Sequence, residues 1–100
     1  MGINATADSV NRLAVGSDAS LFSHDSAGDH RMVINKAQTA DTASLVFQSG
    51  WSGRAELGLT GSDDFAFKVS ADGTNFVDAL TIDGQTGAVS FPATNLPSDM

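Results

Sequence analysis

Turn-forming residues recur about every ten positions along this chain, a spacing that leaves room only for short elements. Gly16-Ser17-Asp18, Ser26-Ala27-Gly28-Asp29, Gly50 to Gly53, Gly61-Ser62-Asp63, Asp72-Gly73 and Asp83-Gly84 with Gly87 supply the punctuation. Between them lie short runs rich in β-branched and aromatic residues, the pattern of an antiparallel all-β architecture. Strands are expected at Arg12–Val15, Ser20–Ser23, Arg31–Asn35, Ser44–Ser49, Arg54–Thr60, Asp64–Ser70, Val77–Asp83 and Ala88–Phe91. Ile3, Ala7, Val10 and Ala14 have heptad-like spacing, but the Asn, Thr and Asp between them suit an extended or irregular segment better than a coiled-coil stalk. The expected organisation is an N-terminal extended segment or stalk over 1–10, a β-domain over 11–91 and a C-terminal linker over 92–100.

One hairpin specifies its own register. Alternation places Ala55, Leu57 and Leu59 on one face of a strand and Phe65, Phe67 and Val69 on one face of the next. A three-residue loop at Gly61-Ser62-Asp63 sets Leu59 opposite Phe65, Leu57 opposite Phe67 and Ala55 opposite Val69. Glu56 then faces Lys68, an opposite-charge cross-strand pair. The last hairpin is ambiguous. Leu80 and Ile82 fall on one parity and Val77 and Ala79 on the other, which implies that both of its faces are covered.

Bulk is scarce. Of 100 residues, six are Phe and one is Trp, and much of the 41% hydrophobic share is Ala. A chain of this size buries only about two-thirds of its unfolded surface as a monomer. With no cysteine to staple it, burial against other copies is the expected remedy. The fold class expected is therefore all-β: short antiparallel strands and hairpins in a small sandwich or prism-like domain, intertwined as a homotrimer.

The formal net charge of −7 disfavours nucleic acid and anionic membranes as partners. No stretch approaches the ~20 apolar residues of a membrane span, and Met1 to Arg12 lacks the basic-then-apolar pattern of a signal peptide. Asn4-Ala5-Thr6 matches the glycosylation triplet, read here as accidental.

Catalytic constellations are missing from the sequence: no cysteine nucleophile, no HExxH, no phosphate-cradling glycine loop and no Gly-x-Ser-x-Gly elbow. Asp63 and Asp64, adjacent on a strand, point to opposite faces and do not make a glycosidase pair. No enzyme activity and no cofactor are expected. His24, Asp25, Asp29 and His30 are metal-capable and flank one turn, and three copies on a trimer axis would multiply them. The favoured reading is a polar turn whose aspartates bond their own backbone. Trp51, in the glycine-flanked loop Gly50–Gly53, is read first as a plug of the core or a subunit interface. The functional alternative is an indole that stacks on a sugar ring, with Arg54, Asn35 and Gln48 bonding its hydroxyls. Lys36 is read as solvated.

Several segments together resemble tail-fibre-like proteins of alphaproteobacterial prophages and gene transfer agents. They are Asn11-Arg12-Leu13-Ala14-Val15, Ile34-Asn35-Lys36-Ala37, Asp41 to Gln48, Gly53 to Gly58 and Phe67 to Gly73. Ala79 to Asp83 with Thr86 to Phe91 is also similar to a short β-unit common in phage tail fibres. The resemblance implies a homotrimer in the tail of a virion or phage-like particle, joined to other fibre modules and contacting host-surface polysaccharide. The alternative from the residues themselves is a monomeric carbohydrate-binding module of a secreted polysaccharide-active protein.

Overall fold

A computed structural model describes residues 1–94, and they are all-β with no helix. The chain divides into two compact units, Met1–Met32 and Val33–Met100.

In the first unit, β1 (Gly2–Ile3) and β2 (Ala14–Val15) form a two-stranded parallel ladder with Gly2 opposite Ala14 and Ile3 opposite Val15. Residues 1–10 were expected to be extended or irregular, and β1 falls within them. A parallel pair needs a crossover between its strands, and residues 4–13 supply a short one. The Asp8 carboxylate holds it in shape by accepting from the backbone N–H of Val10 (2.9 Å) and Asn11 (2.5 Å) and from the Asn11 amide (3.2 Å). The strands expected at Ser20–Ser23 and Arg31–Asn35 do not form. Their apolar residues have strand-like composition, but no neighbouring strand accepts their backbone.

The second unit is one open antiparallel sheet in the order β3-β4-β5-β6-β7, comprising Thr42–Ser49, Ser52–Thr60, Phe65–Ser70, Phe76–Ile82 and Val89–Ser90. The central hairpin has the expected register: Ala55 faces Val69, Glu56 faces Lys68, Leu57 faces Phe67 and Leu59 faces Phe65. Its connection is one residue longer than expected, Gly61 to Asp64. The ambiguity in β6 is resolved by a bulge. Phe67 faces Leu80 while Lys68 faces Asp78, so Ala79 is the extra residue. One unpaired residue inverts the parity of everything beyond it, and Val77 thereby joins Leu80 and Ile82 on the same face. Apolar residues on β6 do not need cover on both sides.

Register then sorts the sheet into two faces, because residues paired across antiparallel strands point the same way. One face has three apolar rows. The first runs Ala43, Leu59, Phe65, Ile82, Val89; the second Leu45, Leu57, Phe67, Leu80; the third Phe47, Ala55, Val69, Val77. Phe65 and Phe67 meet edge to face with centroids 5.4 Å apart. On the opposite face Val46, Glu56, Lys68 and Asp78 make one row. Ser44 Oγ donates to Glu56 at 2.6 Å. Lys68 lies 3.1 Å from Asp78 Oδ1, so its ion pair forms to Asp78 and not to Glu56. That oxygen accepts no aligned hydrogen bond, which leaves the contact a charge pair alone.

The apolar face is only partly covered, Ile34 to Lys36, Gln38 and Thr39 lining a depression with Leu59 at one end of it. Among the described residues no large side chain is fully buried, and the buried apolar residues are Ala43 and Ala66. Leu45, Phe47, Phe67, Val69, Val77 and Val89 are all exposed on the one apolar face. A sandwich needs a second sheet against such a face; within residues 33–94 there is one sheet.

Candidate functional site

The most conspicuous group is at the tip of the β3–β4 hairpin. Ser49 pairs with Ser52, so the turn is only Gly50-Trp51, with φ of 54° and 68°. Two consecutive positive φ values are the pattern of a type I′ turn, whose twist suits a hairpin. Glycine adopts it without strain, whereas a bulky residue there is an outlier. Trp51 holds that conformation and is 91% exposed. Within one chain it plugs no core, contrary to the first half of the reading from its sequence; the other half, a subunit interface, concerns further copies.

The four residues proposed around a sugar do not converge. Gln48 is on β3 next to the tip, and Arg54 is the extra residue of a bulge on β4, since Phe47 faces Ala55 while Gln48 faces Gly53. The Arg54 guanidinium donates to the Ala71 carbonyl, which fixes its direction. Asn35 lies in a depression with Ile34, Lys36, Gln38, Thr39, Leu59 and Asp63. Leu59 is at the other end of the β3–β4 pair, seven strand residues or about 23 Å from Ser52. Trp51, Gln48 and Arg54 therefore share one end of the sheet, and Asn35 belongs to the opposite end.

That opposite end is held by Lys36, which sequence reasoning left in solvent. Its side chain is only 8% exposed. The ammonium donates to the carbonyls of Ser62 (2.6 Å), Thr39 (2.8 Å) and Asp41 (3.3 Å), and Asp63 Oδ1 lies 3.0 Å away. Three donors shared among four oxygens explain how an ammonium is tolerated with so little water. The pairing ties residues 36–41 to the β4–β5 turn.

The carboxylates of Asp64 and Asp83 at this end, and that of Asp72 at the Trp51 end, also have structural partners. Asp64 Oδ1 accepts from Gly84 N at 2.7 Å, joining the β4–β5 and β6–β7 turns. Asp83 Oδ1 accepts from Gln85 N (2.8 Å) and Thr86 N (3.0 Å). In the β5–β6 turn, Asp72 accepts from Thr74 N (2.9 Å), Asn75 N (2.8 Å) and Asn75 Nδ2 (3.0 Å). Backbone N–H donors favour the charged form and hold the Asp72, Asp83 and Asp8 carboxyls below their ordinary range. Asp8 and Asp72 share a motif, Asp-x-x-Asn, in which the Asn side chain donates back to the same carboxylate.

At the His24–His30 turn, Gly28 N donates to Asp25 O at 3.1 Å. His24 Nδ1 lies 2.9 Å from the same carbonyl, and the His30 ring stacks on Phe22 with centroids 6.2 Å apart. Among the described residues no three His, Cys, Asp or Glu gather into a metal-holding group. His24, Asp25, Asp29 and His30 thus form a turn in one chain without forming a ligand set there. No helix of the described residues is long and apolar enough to cross a membrane.

No family model, no curated protein and no solved structure matches this chain.

Proposed function

We propose that this chain is a non-catalytic structural module of a homotrimeric fibre of the phage-tail type, working outside the cell as part of a tail and gripping a host-surface glycan. The observation that carries the reading is the largely bare apolar face of the sheet. Its exposed side chains leave on the order of 500 Å² of contiguous apolar surface, at the upper end of what monomers tolerate. At about 25 cal/mol per Å², covering it contributes on the order of 12 kcal/mol per chain before association costs. Copies of the same chain provide that cover without a second protein, and short strands with small residues allow close approach.

The hairpin tip supplies the grip. An exposed indole costs free energy in water, and a strained backbone that holds it outward adds to that cost; such outliers motivate a contact role. Repetition around a trimer axis multiplies weak sugar contacts through avidity. The acidic surface favours a neutral glycan over an anionic one. The exposure of Trp51 also favours a second reading, a monomeric carbohydrate-binding module, which differs in leaving the apolar face unused.

Trp51→Gly tests the grip. Glycine relieves the positive φ, so stability is expected to stay the same or rise by about 1 kcal/mol, while retention on a glycan array falls at least tenfold. Equal retention by both proteins removes Trp51 from the site.

A further inference from the structure

β3 is an edge strand with none of the usual protections. Natural edges are blunted by lysine, proline, bulges or very short length. β3 runs for eight residues, Thr42-Ala43-Ser44-Leu45-Val46-Phe47-Gln48-Ser49, with no charge, no proline and no bulged residue of its own. Its inner side pairs with β4; among the described residues no other backbone hydrogen bond reaches it. About four N–H and four C=O groups therefore point outward from it.

The other side of the sheet leaves a second opening. β7 pairs with β6 only at Thr81 and Ile82. Pro92 follows shortly after and has no N–H to continue the ladder. The outer backbone of Phe76 to Leu80 stays unpaired among the described residues.

We infer that the outer edge of β3 is a strand-pairing site for β6 of a second copy of this chain, so that the copies join edge to edge as well as face to face. This deepens the trimeric reading and rests on it. Direction supports the pairing. β3, β4, β5 and β6 alternate in sense, so β3 and β6 run oppositely within one sheet. A copy rotated about an axis along the strands brings its β6 antiparallel to β3, and the alternation continues across the junction. Pattern supports it too. An arriving strand must place apolar residues beside Leu45 and Phe47 and polar ones behind. β6 does so with Val77 and Leu80 on the apolar face and Asp78 on the other. The bulge at Ala79 bends β6, as happens where a strand turns a sheet corner. One donor edge and one acceptor edge per copy make a heterologous contact that closes a ring.

The test combines hydrogen exchange with cross-linking on the full chain. In the oligomer, amides along all of β3 are expected to be protected. The protein has no cysteine, so Phe47→Cys with Val77→Cys gives a clean pair. Within one chain these positions are three strand spacings, about 14 Å, apart and cannot form a disulfide. Oxidation is expected to give covalent species up to three chains, with none from Phe47→Cys alone. An oligomer whose β3 amides exchange at alternate positions, and whose double variant stays unlinked, overturns edge pairing and leaves face packing standing. Covalent dimers from Phe47→Cys alone overturn the choice of β6 in favour of β3 pairing with itself. A monomeric wild-type protein overturns both this inference and the trimeric reading.

Discussion

Lys36→Met removes an ammonium while keeping a chain of similar length, so the change isolates hydrogen bonding from packing. The group is nearly out of water and donates to the carbonyls of Ser62, Thr39 and Asp41. Of these carbonyls, that of Asp41 keeps a second donor, Gly61 N at 3.2 Å; those of Thr39 and Ser62 must find water. Hydrogen bonds to a charged group contribute about 1.5–3 kcal/mol each in net terms and are not additive, so the expected loss is about 2–3 kcal/mol. The Asp63 partner contributes little of this, because its side chain is 64% exposed and a screened pair is worth under about 1 kcal/mol. Urea unfolding at one fixed protein concentration measures the difference, since association also shifts the midpoint. With a slope near 1 kcal/mol/M for so small a unit, the midpoint falls by about 2–3 M. Asp63→Asn shifts it by less than about 1 M on the same basis. A Lys36→Met loss under about 0.5 kcal/mol, or equal to that of Asp63→Asn, would refute the claim that three carbonyls hold this end of the sheet through one ammonium.

Two further outcomes follow from the same geometry. Gly58 has φ of 143°, and a Cβ there would come within 2.4 Å of the Ala43 carbonyl oxygen and 2.7 Å of Ser44 Cα; Gly58→Ala is expected to cost about 2 kcal/mol or more by splitting β3 from β4, read as a loss of β signal in circular dichroism at reduced temperature. The carboxyls of Asp8, Asp72 and Asp83 titrate lower in the folded chain than unfolded, so the stability they contribute is complete above the unfolded carboxylate range, near about 4, and drains as pH falls below it. Denaturant midpoints should be flat from pH 7 to 5 and decline from pH 4 downward, and a midpoint that rises on acidification would contradict the turn assignments.

Much of the sheet is legible in the residues alone, and what is not has identifiable causes. The Arg54–Ser70 hairpin could be read to the residue because apolar alternation and the Glu56–Lys68 pairing select one register. β6 could not, since a bulge is a property of two strands together and Ala79 carries no mark of being the extra residue. Leu21-Phe22 and Met32-Val33-Ile34 resemble strands in composition, but a strand needs a partner and these find none. Lys36 shows the converse. An isolated lysine after Asn35 reads as solvated because its oxygens come from residues 39, 41 and 62, and the fold brings them together. Trp51 misleads through habit of type, a lone Trp usually being buried. The signal that could have placed it outside was Gly50 just before it, which permits a two-residue turn where a four-residue loop was expected.

Sedimentation equilibrium at micromolar concentration addresses the central claim most directly, namely that a single sheet with a largely uncovered apolar face does not persist alone. A mass near 31 kDa, three times the 10.3 kDa chain, is the expected result, with collapse toward 10.3 kDa when Phe67→Lys places a charge in the middle apolar row. A wild-type species of 10.3 kDa that stays monodisperse and unfolds cooperatively would contradict it.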